Sequence, residues 1–225
     1  AIGFQSLRVH TTGARNIAIG ENAMMDTNAG STSLGSADNV FIGYNAGGGT
    51  WTDAASNQNI GIGTNVLNAA MAGALNNTAV GHGSAGAITS GDNNSIFGYL
   101  AGAAITTGGN NVIIGASAGN GFTANTTMTL IGSEAGTAIN SNNANGTVAV
   151  GYQSLASLTS GATNTALGTR SGDAANTASG SVFLGNNAGG TVTTGNQNIA
   201  IGLDSMNGGA TTGDNNIAIG ASAGD

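Results

Sequence analysis

The sequence predicts an all-β fold: a parallel β-solenoid (β-roll) of about 13 repeats with a basic 17-residue period. Three observations lead there. A short motif, clearest as Asn16-Ile17-Ala18-Ile19-Gly20, returns with closing glycines at Gly3, Gly20, Gly43, Gly63, Gly81, Gly98, Gly115, Gly132, Gly151, Gly168, Gly185, Gly202 and Gly220, in steps of 17 to 23 residues. A fixed short period with small insertions marks stacked coils whose additions loop outward. Each motif carries apolar residues two apart, the spacing of one face of a strand. Between motifs, glycine and tiny residues recur at fixed places, as the corners of a narrow coil require.

With each closing glycine as position 0, the elements of one coil follow in order. Position -7 holds a second glycine inside Thr-Thr-Gly or Thr-Ser-Gly at Gly13, Gly91, Gly108, Gly161, Gly195 and Gly213, with Asn125 in another copy. Both residue types tolerate a left-handed backbone, so a corner is expected there. Position -4 is asparagine at Asn16, Asn39, Asn59, Asn77, Asn94, Asn111, Asn164, Asn198 and Asn216. Stacked at roughly 4.8 Å, these amides can bond one another and the turn backbone. Positions -3 to -1 are the strand. Position -1 is large and apolar throughout, including Ile19, Ile42, Ile62, Ile114, Ile131, Ile201 and Ile219, and position -3 is mostly β-branched. These two rows are expected to stack in the interior. Position -2 is apolar too (Ala18, Phe41, Ile96, Ile113, Leu130, Phe183), so both faces read as dry and the second is expected to be covered by copies of the same chain. Position +3 is Ala or Ser in all coils but the one with Val66, and +4 is Gly, Ala, Leu or Met, which implies a narrow coil.

The period is broken most between Gly20 and Gly63, where insertions 26–38 and 47–59 are read as loops. The whole of residues 1–225 is expected to be one repetitive domain, a segment of something longer, since it opens within a motif. The chain has no Pro, no Cys and no Lys, its cations are Arg8, Arg15 and Arg170, and its formal net charge is -7. Three cations cannot neutralise a run of phosphates, which argues against nucleic acid and anionic membranes as partners. No apolar run approaches the ~20 residues needed to span a bilayer as a helix. The neutral Asn, Thr, Ser and Gly surface suits an extracellular setting.

Motifs suggestive of chemistry dissolve into the repeat. Gly81-His82-Gly83-Ser84-Ala85-Gly86 matches a dinucleotide fingerprint but precedes another turn and strand rather than a helix. Gly115-Ala116-Ser117-Ala118-Gly119 matches a nucleophile elbow, yet the serine slot holds Leu100, Glu134 and Arg170 in other coils. The two histidines, His10 and His82, lie several coils apart, and the carboxylates form no column; only Asp26, Asp38 and Asp53 share the insertions. No enzymatic activity, metal or cofactor is expected. The candidate recognition residues are aromatic: Tyr44, Tyr99 and Tyr152 at position +1, in the row of Phe4 and His82, and Trp51 in the second insertion, where rings are suited to stacking on sugars.

The Asn-x-Ala-Ile-Gly repeat, carried by Asn16-Ile17-Ala18-Ile19-Gly20, Asn77-Thr78-Ala79-Val80-Gly81, Asn164-Thr165-Ala166-Leu167-Gly168 and Asn216-Ile217-Ala218-Ile219-Gly220, resembles the head repeats of trimeric autotransporter adhesins and related repeats of bacteriophage tail fibres. The resemblance implies an intertwined or side-by-side homotrimer that contacts a host-surface glycan or protein, on a virion tail fibre or a bacterial surface. A basic step of 17 residues departs from the shorter adhesin step, and the additional residues fall at the Thr-Thr-Gly corner. A structural fibre shaft is an alternative reading. Ice binding is another, suggested by Thr106-Thr107, Thr193-Thr194 and Thr211-Thr212.

Overall fold

The computed structural model describes residues 1–10, 12–26, 35–52 and 54–225. Twelve strands of three residues each fall on the motif positions -3 to -1: β1 (Ile17–Ile19), β2 (Val40–Ile42), β3 (Ile60–Ile62), β4 (Thr78–Val80), β5 (Ser95–Phe97), β6 (Val112–Ile114), β7 (Thr129–Ile131), β8 (Val148–Val150), β9 (Thr165–Leu167), β10 (Val182–Leu184), β11 (Ile199–Ile201) and β12 (Ile217–Ile219). Their order in the parallel sheet is their order in the chain, so the fold is a β-solenoid. The first motif adds one bridge, from Ile2 to Ile19. The chain divides into two compact units, Ala1–Asn111 with β1 to β5 and Val112–Asp225 with β6 to β12.

Register follows the motif. Ile17, Ala18 and Ile19 face Val40, Phe41 and Ile42, and in the second unit Val182, Phe183 and Leu184 face Ile199, Ala200 and Ile201. A strand this short has no stability alone; it is held because each residue pairs with the same motif position in the adjoining coils.

The strands present their faces opposite to the sequence expectation. Position -2 is the buried one: Ala18, Phe41, Ala79, Ile96, Ile113, Leu130, Ala149, Ala166, Phe183 and Ala200 are inside. Positions -3 and -1 point outward, so Ile19, Ile62, Ile114, Leu167, Leu184 and Ile219 are exposed, and Ile42, Ile131 and Ile201 are half-buried. Only one of the two apolar faces can close around a narrow interior, and the -2 row fits because its sizes are matched to the opposite wall.

That matching is local to the coil. In four coils with a small -2 residue, +4 is large: Ala18 with Met24, Gly61 with Leu67, Ala149 with Leu155 and Ala200 with Met206, all four long side chains buried, whereas Ala79, Ala166 and Ala218 are followed at +4 by Ala85, Gly172 and Gly224. Where -2 is large, +4 is glycine: Phe41 with Gly47, Ile113 with Gly119, Leu130 with Gly136, Phe183 with Gly189. A methyl group on Gly189 would stand 2.2 Å from the Phe183 ring, and one on Gly47 2.8 Å from Phe41. A third interior column lies at +7: Ile88, Ile105, Phe122, Ile139, Leu158, Ala175 and Val192 are buried.

The closing glycines have φ between 127° and 141° in β-strand coils, and a methyl group on Gly168 would meet the carbonyl oxygen of Gly185 at 2.3 Å. Position 0 therefore excludes side chains on two counts, conformation and the next coil. At -5, +2 and +4 the backbone is also left-handed but occupied by ordinary residues, as at Asn76, Asn93, Gln153 and Leu155.

Inside the first unit the -4 asparagines form a hydrogen-bonded column. The Asn94 Nδ2 donates to Asn77 Oδ1 at 2.9 Å and to the Gly108 carbonyl at 2.9 Å, while its Oδ1 accepts from the backbone N–H and Nδ2 of Asn111 at 3.2 and 2.9 Å. Asn16, Asn39 and Asn59 continue it, with Asn39 and Asn59 each bonding the preceding amide oxygen. A buried amide so engaged meets its full hydrogen-bonding capacity. In the second unit Met128 and Thr147 stand in this column, and it resumes with Asn164, Ser181, Asn198 and Asn216.

Candidate contact surfaces

The outward rows make an apolar surface on each unit. In Val112–Asp225 it consists of Ile, Val, Leu and Thr at -3 and -1 of seven strands, and none of these positions carries a charge. The acids of this unit sit elsewhere: Glu134 and Asp204 at the +2 corner, Asp173 beside Arg170, Asp214 at the corner before β12, and Asp225, which accepts from the Asn207 N–H at 2.8 Å. At +2 the polar side chains pair between coils, Gln153 Nε2 donating to Glu134 Oε2 at 2.7 Å and Asn187 Nδ2 to Asp204 Oδ1 at 2.9 Å.

Position +1 borders this surface. Tyr44, Tyr99 and Tyr152 are exposed, each with about half its surface in water (51%, 56% and 47%), as are Phe4 and Leu203. Tyr44 and Tyr99 belong to the first unit and Tyr152 to the second. Within the first unit the His82 ring stacks on Tyr99, centroids 5.6 Å apart, while Thr64 separates Tyr44 from His82 in the row.

Trp51 is elsewhere and corrects the expectation of an exposed ring. It is fully buried, packs edge-on against Phe41 with centroids 5.7 Å apart, and donates from Nε1 to the Gly47 carbonyl at 3.0 Å. It stands at +8 from Gly43, as Met71 does from Gly63, one residue beyond the +7 column that Ile88 and Ile105 fill in the following coils. The signal was present in the sequence as a large apolar residue seven or eight places after eight of the closing glycines, Gly43 to Gly151 and Gly185; the insertion displaced it by one and made it resemble a loop residue.

The acids of the insertions are engaged with neighbours. Asp26 Oδ2 accepts from Thr50 Oγ1 at 3.1 Å, and Asp38 pairs with Arg15, whose Nη2 donates to Oδ2 at 2.8 Å. The hydrogen bond and charge of Arg15 lower the Asp38 pKa; Arg15 is exposed and Asp38 partly so, and the pair is a surface contact of small energetic weight. Asp53 and residues 27–34 lie outside the described residues. Asn57 Oδ1 accepts from the Ala37 N–H at 2.8 Å, and Asn57 bridges to Leu75, which ties the second insertion to the coils on both sides.

The motifs suggestive of chemistry take up coil positions. Gly81 is a closing glycine, Ser84 is a buried +3 residue, and turns and β5 follow. Ser117 sits at the left-handed +2 corner. The Thr pairs read for ice take part in the backbone pairing of the corner: the Thr106 carbonyl accepts from the Thr89 N–H at 2.9 Å, and the Thr193 N–H donates to the Thr211 carbonyl at 3.0 Å. An open cavity of about 490 Å³ lies at the β12 coil, lined by Met206, Thr211, Asn216 and Ala218 among others, of which Met206 and Ala218 belong to the interior columns. No helix among the described residues is long and apolar enough to cross a membrane. No protein-family model, no curated protein and no solved structure matches the chain.

Proposed function

We propose that this chain is a non-enzymatic segment of an extracellular fibre, a homotrimer in its working form, that contacts a host cell surface as part of a phage tail fibre or, alternatively, of a bacterial surface adhesin. The observation that carries the reading is the uncharged, mainly apolar outer face of the strands within each unit, on a scaffold of near-identical coils. Repetition on this scale yields a rigid spacer rather than a single shaped pocket, and an uncharged apolar exterior suits lateral assembly into a fibre. The repeat motif supports the same reading through its resemblance to fibre and adhesin repeats. Contact with a receptor falls to the exposed +1 rings, Tyr44 and Tyr99 in the first unit and Tyr152 in the second, since rings with a wet edge and an apolar face suit sugar stacking.

The burial of Trp51 favours a second reading, a structural shaft whose recognition element lies in another part of the fibre. Binding of the purified chain to a glycan array and to a panel of bacterial cells separates the two. Binding that falls at least fivefold in Tyr44→Ala/Tyr99→Ala with unchanged melting supports the contact role; no binding by the parent assigns the segment to the shaft.

A further inference from the structure

We propose that Asn120 is a site of spontaneous covalent modification, converting through a cyclic imide with Gly121 to a mixture of aspartate and isoaspartate. Water is the only co-reactant. The main-chain nitrogen of Gly121, having given its proton to solvent base, attacks Cγ of Asn120; the Cγ–Nδ2 bond breaks, and the amide leaves as ammonia after taking up a proton. Water then opens the imide. Cleavage of its N–Cγ bond gives aspartate, whereas cleavage of the bond from the same nitrogen to the Asn120 main-chain carbonyl carbon gives isoaspartate, with the backbone running through Cγ. Glycine hinders this attack least, since no Cβ stands beside its nitrogen.

The chain contains three Asn-Gly pairs, at Asn120, Asn145 and Asn207, and the fold treats them differently. Asn145 Oδ1 accepts from the Thr126 N–H at 2.8 Å, its carbonyl accepts from the Thr163 N–H at 3.0 Å, and the Gly146 N–H donates to the Thr126 carbonyl at 3.3 Å. Its attacking nitrogen is engaged and its target amide is fixed, so the corner must open locally before reaction. Carboxylates border Asn207: its N–H donates to Asp225 Oδ1 at 2.8 Å, and its Nδ2 donates to Asp204 Oδ1 at 3.5 Å. Negative charge there opposes ionisation of the Gly208 nitrogen. Asn120 has neither restraint. Among the described residues its side chain and the Gly121 N–H form no hydrogen bond, and both residues are half-buried, so water reaches them. The corner also carries a consequence. Phe122, two residues on, fills the +7 interior column, and a methyl group on Gly119 would stand 2.9 Å from its ring. An isoaspartyl link adds a main-chain carbon just ahead of this ring and pushes it against its neighbours.

Peptide mapping by mass spectrometry tests this on the full chain, incubated folded and, in parallel, in strong denaturant. In the folded chain Asn120 is expected to convert at least ~10-fold faster than Asn145, with Asn207 between them, giving aspartyl and isoaspartyl peptides at a rate that rises with pH. In denaturant the three rates should converge, since the fold is what separates them. Asn120 converting no faster than Asn145 in the folded chain overturns the proposal. A lead of the same size in denaturant also overturns it, because the difference would then come from local sequence. Asn120→Thr, matching Thr137 at the same position of the next coil, should hold its denaturation midpoint over an incubation in which the parent's falls. An equal fall in the variant refutes the coupling to Phe122.

Discussion

At the scale of single residues, the fold depends on two kinds of glycine that composition cannot distinguish. Gly168 has φ 139° and no room for a methyl group against Gly185, whereas Gly180 has φ 65° and its nearest contact to an added methyl would be the Gln197 side chain at 3.5 Å. The residues at the same coil position on either side of Gly180 are Thr163 and Gln197, both left-handed without glycine. Gly168→Ala is therefore expected to cost about 3 kcal/mol or more, and Gly180→Asn to be neutral or stabilising by up to about 1 kcal/mol, as read by chemical denaturation. Closing-glycine spacing was enough to place all twelve strands, because a position that tolerates only glycine recurs whatever the rest of the coil does. The asparagine column was equally visible in the sequence, since a buried amide that serves two neighbours has few substitutes. Trp51 was misread for a physical reason: its place in the +7 column is preserved only after the inserted residues are absorbed by the corner, and linear spacing does not reveal which corner absorbs them.

At the scale of one coil, the interior is filled by a trade in volume between positions -2 and +4, six residues apart. Phe183→Ala should cost roughly 3–5 kcal/mol as a cavity, and Gly189→Leu alone should also destabilise, since its first side-chain carbon meets the Phe183 ring at 2.2 Å. Combined, the two should recover at least about half of the loss, because Leu155 adopts the same left-handed backbone beside Ala149 in another coil of this unit. Additive costs in the double mutant would show that the pairing does not govern the packing. The expectation that -1 and -3 face inward was wrong because all three strand positions are apolar; only size, read together with +4, distinguishes the inner row. The structure accordingly makes Ile113 and Ile114 a diagnostic pair. Ile113→Asp places an unpaired charge inside and should prevent folding or cost several kcal/mol, whereas Ile114→Asp, measured where the chain is dilute, should cost roughly 1 kcal/mol.

At the scale of the whole molecule, stability is a sum of coil and nearest-neighbour terms, and the proposed assembly into a homotrimer would add a term that depends on concentration. The thermal midpoint should therefore rise with protein concentration, and it should cease to do so in Ile131→Thr/Leu167→Thr, two substitutions on the outer strand face; a midpoint independent of concentration in the parent argues against assembly through that face. Trp51→Ala tests the other end of the chain: with the ring buried on Phe41, it should lower stability by about 3–5 kcal/mol. The trade between -2 and +4 also bears on how such a chain can change length. A coil that fills its own interior, such as Ala149 with Leu155 or Phe183 with Gly189, can be duplicated or lost by an in-frame recombination of one period with little effect on its neighbours. The coil of Ala166 and Gly172 is different, because Phe183 and Leu155 from the adjoining coils occupy the space beside it. Its gene segment is tied to both flanks, so crossovers that separate it from them should yield fewer viable descendants than crossovers elsewhere in the repeat.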